Sequence, residues 1–173
     1  MLIFLTGFMG AGKSSVGRLL SRRLEVPLID LDAVIEAQEG RTVAEIFCDR
    51  GETFFRRLER EVLVRTAAEP RGVVATGGGV VEDPHNVDTM ASAGRIVWLA
   101  ADFETIAARL RLATQETRPL YKTRAEARAL YDRRLIAYAR CDHRVAVGPT
   151  DSPAEVADRI FSELDAGGPA CDT

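Results

Sequence analysis

The sequence predicts an α/β protein, a parallel sheet of about five strands sandwiched by helices. Three observations predict it. Short apolar runs alternate with longer stretches of helical periodicity along the chain. Those runs are continuous rather than alternating, so both faces of each strand are expected to be covered. A glycine-rich loop lies where the first run passes into the first helical stretch. With 173 residues, 46% of them hydrophobic, the chain suits a single domain, placed at residues 1–165.

The strands are expected at "LIFLT" (2–6), "VPLID" (26–30), "GVVAT" (72–76), "RIVWL" (95–99) and "HRVAV" (143–147). Helices are expected near 13–24, 32–39, 43–50, 52–68, 85–93, 103–115, 124–140 and 153–165. Thr42 with Glu45, and Ser152 with Glu155, match the capping box, in which each residue satisfies the other's backbone N–H. Gly51, Gly72 and Gly94 punctuate helix ends. The tail 166–173, "AGGPACDT" from its first glycine-rich residues onward, is expected to be disordered.

"GFMGAGKSS" (7–15) has the form G-x-x-x-x-G-K-[ST] between a strand and a helix. Its backbone N–H groups are expected to curl around phosphate oxygens, joined by the positive end of the helix. Lys13 reaches the β- and γ-phosphates and Ser14 is a Mg²⁺ ligand in this reading; Gly10, Ala11, Gly12 and Ser15 complete an ATP site. "LIDLDAVIE" (28–36) sets Asp30 and Asp32 at a strand end, on the same side if the chain stays extended. One carboxylate can hold the water shell of Mg²⁺, and the other can orient an acceptor hydroxyl and take its proton. Asp32 is also a candidate N-cap for the helix that follows.

In "GETFFRRLERE" (51–61) a helix places Phe55, Leu58 and Val62 on one stripe, with Arg56 and Glu59 together beside it. A guanidinium held in that way matches a carboxylate bidentately. Arg57 reads as ordinary surface. "VVATGGGVV" (73–81) ends a strand in three glycines, a backbone that a ligand can approach closely. No Walker-B aspartate ends that strand.

With these four elements in place, the sequence resembles the shikimate kinases over residues 1 to 165. "RPL" (118–120) and Arg134, four residues before Tyr138, complete the set of motifs. The resemblance implies the strand order 2-3-1-4-5, a mobile lid at about 112–124 and an acid-binding region at about 32–61. It implies shikimate contacts from Asp32, Arg56, Gly78, Gly79 and Arg134, with Glu59 buttressing Arg56. Arg118 would reach the ATP phosphates from the lid, and Arg111 and Pro153 would flank the adenine. Asp32, Lys13 and Arg118 would be catalytic, and one Mg²⁺ would sit on Ser14 and, through water, on Asp30. The reaction implied is ATP-dependent phosphorylation of the shikimate 3-hydroxyl. The chain departs from the family pattern at Tyr121, at Ile136 and in the length between Arg118 and Arg134, which leaves Arg133 as a competitor for the role of Arg134.

Two other readings share the phosphate loop: a gluconate kinase-like enzyme, and a P-loop protein that binds nucleotide without catalysis. A net charge of −3 argues against general nucleic-acid binding. No stretch approaches the roughly 20 apolar residues needed to cross a bilayer, and "MLIFLTGF" lacks a basic leader. Three scattered cysteines suggest neither a metal site nor a disulfide framework. A cytoplasmic monomer is expected.

Overall fold

The computed structural model describes residues 1–111 and 123–165, the side chain at 111 excepted. It is a three-layer α/β/α fold. In chain order the elements are β1 (Leu2–Thr6), α1 (Lys13–Arg23), β2 (Leu28–Asp30), α2 (Leu31–Glu39), α3 (Val43–Thr66), β3 (Gly72–Ala75), α4 (Pro84–Ala93), β4 (Gly94–Ala101), α5 (Phe103–Arg111), α6 (Arg124–Tyr138), β5 (His143–Val147) and α7 (Pro153–Asp165). A 3-10 turn, Val80–Glu82, lies between β3 and α4. The five strands are all parallel in the order β2-β3-β1-β4-β5, as the resemblance implied.

Every residue of β1 and β3 is buried, so helices cover both faces of the sheet's centre. On one side α1 packs against α7, and α3 packs against α4 and α2. The edges behave differently. β5 alternates, with His143, Val145 and Val147 buried and Arg144 and Ala146 exposed, and β2 is half-buried throughout. The expectation of full cover therefore fails at the rim, where a strand has a neighbour on one side only. The Arg144 guanidinium lies over the Trp98 ring, 5.4 Å from its centroid, and shields part of that outer face. β2 is also shorter than expected, because Pro27 has no N–H to give a ladder. Its carbonyl still accepts from the Val73 N–H at 2.9 Å. β4 runs longer, to Ala101, paired on both sides by β1 and β5.

The helix over 43–66 is two helices that meet at Gly51, whose φ of 77° and ψ of 172° break the helical path. Two separate helices there match the expectation. Both expected capping boxes form: the Thr42 and Ser152 amides each donate to their glutamate at 2.7 Å. A third, at Thr123 and Glu126, starts α6. We expect Thr42→Ala to lower stability by about 1 kcal/mol, the usual worth of such a cap. That corresponds to about 2–4 °C in melting temperature for a chain of this size, read by calorimetry. No described helix is long and apolar enough to cross a membrane.

Candidate active site

The site lies beyond the carboxyl ends of β1, β2 and β3, where open α/β sheets collect their ligands. The loop after β1 needs backbone that side-chain-bearing residues avoid: Gly7, Gly10 and Gly12 have φ of 140°, 81° and 102°. Gly12 caps α1, so the amides of the first turn face the cleft. Lys13 Nζ folds back to donate to the Gly7 and Phe8 carbonyls at 2.8 and 3.3 Å. Burial pulls its pKa down to about 8, against the pull of Asp32 in the other direction. At neutral pH the ammonium is still charged.

Two clefts meet at this loop. One, of about 340 Å³, is lined by Gly10, Ala11, Gly12, Ser15, Arg109 and Pro153, among others. The second, of about 460 Å³, is lined by Lys13, Ser14, Asp30, Asp32, Glu36 and Thr76 beside the loop glycines. Pro153 and the loop residues are thus brought together. Arg118 and the side chain of Arg111 lie outside the described residues, as do the expected lid up to residue 122 and the tail. Arg109 was not singled out in the sequence. It donates to Ala11 O at 3.4 Å and Gly148 O at 3.1 Å, tying the phosphate loop to the turn before α7.

The chain does not stay extended after β2. Helix α2 starts at Leu31, with Asp30 as its N-cap and Asp32 inside the first turn. The strand-alternation argument therefore fails and Asp32 is not the cap, yet the helical turn still brings both carboxylates to one cleft. Ser14 Oγ donates to Asp30 Oδ2 at 2.7 Å. An alcohol and a carboxylate at a phosphate loop are hard oxygen donors of the kind Mg²⁺ takes. Among the described residues no group of three or more His, Cys, Asp or Glu side chains could hold a metal alone. Asp32 is pushed up to about 6, chiefly by burial and next by the charge of Glu59, with Lys13 opposing.

Gly77 and Gly79 leave room for the ends of charged side chains. A Cβ on Gly79 would lie 2.5 Å from Arg56 Nη2 and 2.7 Å from Arg134 Nη2, and one on Gly77 would overlap Glu59 Oε1. Two guanidinium groups from α3 and α6 therefore converge on bare backbone. Arg56 Nη1 donates to Glu59 Oε2 at 2.7 Å, and Glu52 accepts from its Nε at 3.2 Å. Burial works against the Arg56 charge, but these carboxylates more than offset it and hold its pKa above the ordinary value. Glu59 is fully buried, and burial raises its carboxyl while Arg56 and Arg134 pull it down. Arg134 is 1% exposed and Arg133 66%, which places Arg134 inward and Arg133 on the surface. Arg57 is likewise exposed. Tyr138 donates from its hydroxyl to the Gly78 carbonyl at 2.6 Å, bracing the triplet from below.

Among the described residues, Arg134 Nη2 and Glu59 Oε1 are buried without a hydrogen-bond partner. Leaving a buried donor unpaired costs on the order of 1–3 kcal/mol, and more on a charged group. Thr6 Oγ1, Asn86 Oδ1 and Arg159 Nε are unpaired as well, but only the Arg134 and Glu59 atoms lie against the glycine triplet.

The shikimate kinase family model matches residues 9–165 of this chain. A shikimate kinase from Symbiobacterium thermophilum is 44% identical over 146 residues, covering 83% of this chain and 84% of that protein. The solved structure of a shikimate kinase from Acinetobacter baumannii in complex with shikimate superposes with a TM-score of 0.88 at 30% identity, over 96% of this chain and 93% of that one. A gluconokinase from Sinorhizobium meliloti shares the fold alone, with a TM-score of 0.59 and 19% identity over 96% and 92% of the two chains.

Proposed function

The chain belongs to the shikimate kinase family, and from that premise we propose how its own residues divide the work. The enzyme transfers the γ-phosphoryl group of ATP to the 3-hydroxyl of shikimate, giving 3-phosphoshikimate and ADP in aromatic amino-acid biosynthesis. The observation that carries the residue assignment is the convergence of Arg56 and Arg134 on Gly79, with Arg134 Nη2 buried and unpaired.

In this reading the shikimate carboxylate sits between the two guanidinium groups, which offer planar forks suited to it. The backbone at Gly78 and Gly79 lets the ring approach. Asp32 accepts the hydroxyl proton as the oxygen attacks, and its raised basicity suits that task near neutral pH. Lys13 turns from the Gly7 and Phe8 carbonyls to the phosphates and offsets charge on the transferred group. Gly10, Ala11, Gly12, Ser14 and Ser15 hold the phosphates through the loop, and Pro153 borders the base. Arg111 and Arg118 belong to the same reading through the family resemblance. Mg²⁺ bound with the nucleotide would neutralise β- and γ-phosphate charge, held by Ser14 and, through water, by Asp30. Residues of one chain line both clefts, which supports a monomer working in the cytoplasm as part of this proposal.

A coupled ADP-release assay with shikimate beside gluconate tests the substrate assignment. Shikimate-dependent turnover with little response to gluconate is expected, since a flexible open-chain acid loses rotamer freedom that a rigid ring does not when it presents its groups to both arginines and Asp32. Turnover on gluconate at a comparable kcat/KM would overturn it.

A further inference from the structure

Arg134 needs more than its own position on α6 to present a fork to a ligand. A long side chain has many rotamers, and a hydrogen bond to one edge of its guanidinium helps to select the one that faces a ligand. The structure has such a hold in Glu82, a residue that the reaction above does not use. Glu82 Oε2 accepts from Arg134 Nε at 2.8 Å, and its Oε1 accepts from Arg133 Nε at 3.2 Å. With Nε taken, Nη1 and Nη2 are the atoms turned toward Gly78 and Gly79, and Nη2 has no partner there. The platform under Glu82 is firm. Val80 and Val81 of its 3-10 turn are fully buried, and the Asn86 amide donates to the Val80 carbonyl at 3.1 Å. Arg56 is held in a matching way by Glu59 and Glu52.

We propose that Glu82 is the positioning residue for Arg134, fixing the guanidinium from its Nε edge so that its Nη edge meets the acid of the substrate. This rests on the reading that Arg134 binds the shikimate carboxylate. A charge argument alone predicts the opposite sign: a carboxylate beside the anion site repels the anion, and removing it should tighten binding. Orientation and charge can therefore be separated by two conservative changes. Glu82→Gln keeps an oxygen acceptor at the same reach and removes the charge. Glu82→Asp keeps the charge and draws the acceptor back by one methylene.

The test is steady-state kinetics on Glu82→Asp, Glu82→Gln and Arg134→Ala, with shikimate and ATP varied separately. Glu82→Asp should raise KM for shikimate about tenfold and leave KM for ATP within about twofold, the size of effect expected for losing one charge-assisted hydrogen bond. Glu82→Gln should stay within about threefold of the parent on both substrates. The reverse ranking, or no change in either Glu82 variant while Arg134→Ala loses shikimate affinity, overturns the role of Glu82 alone. Undiminished shikimate affinity in Arg134→Ala overturns the assignment of the acid site itself.

Discussion

Asp32→Asn is expected to keep ATP binding while lowering turnover by about 10²–10⁴, the usual contribution of a positioned general base. Asparagine fills the same space in the first turn of α2 and leaves the loop contacts of Lys13 intact. It cannot accept the proton that must leave the acceptor hydroxyl. The same change should stabilise the ligand-free, magnesium-free protein. In the fold Asp32 is raised to about 6 from an ordinary 3.8, mainly by burial. A carboxylate raised in this way costs stability above its folded pKa, and the cost fades as pH falls from about 6 toward 4. After discounting for its partial exposure, about 1–2 kcal/mol is expected at pH 7.5. That is a gain of several degrees in melting temperature for Asp32→Asn, shrinking as pH falls below about 6 and largely lost by about pH 3.5. Stopped-assay turnover and scanning calorimetry across that range check both arms. Near-normal turnover would remove Asp32 from the chemistry.

Arg56→Ala is expected to weaken shikimate binding by about 2–4 kcal/mol, because it deletes a partner of a desolvated carboxylate. It also strands Glu59, which is fully buried and takes its hydrogen bond from Arg56. Some loss of thermal stability should therefore accompany the loss of affinity. Nucleotide affinity should stay near that of the parent, since the base-side cleft is built from α5, α7 and the phosphate loop. Calorimetric titration with each ligand separates the two effects, and equal losses for both would contradict the assignment.

Most of this site was legible because its signals are local. The phosphate loop is a contiguous string at a strand–helix junction. The Arg56–Glu59 pair follows from helical spacing, and the glycine triplet announces close approach. What stayed hidden depends on residues far apart in the chain. Glu82 meets Arg134 across 52 positions, and Arg109 reaches Gly148 across 39. No periodicity links such pairs. The choice between Arg133 and Arg134 turned on the rotation of α6 about its axis, which neighbouring arginines of the same type do not reveal. Asp32 shows the converse. The backbone path assumed for it was extended and the real one is helical, yet the carboxylate reaches the same cleft. The edge strands departed from expectation for a plain reason: a continuous apolar run does not say whether a strand lies at the rim.

A crystal structure of the protein with shikimate bound tests the placement of the acid most directly. One carboxylate held by the guanidinium groups at positions 56 and 134 above Gly79, with a ring hydroxyl on Asp32, is the expected result. A carboxylate lying in open solvent, or paired with Lys13 at the phosphate loop, would contradict it.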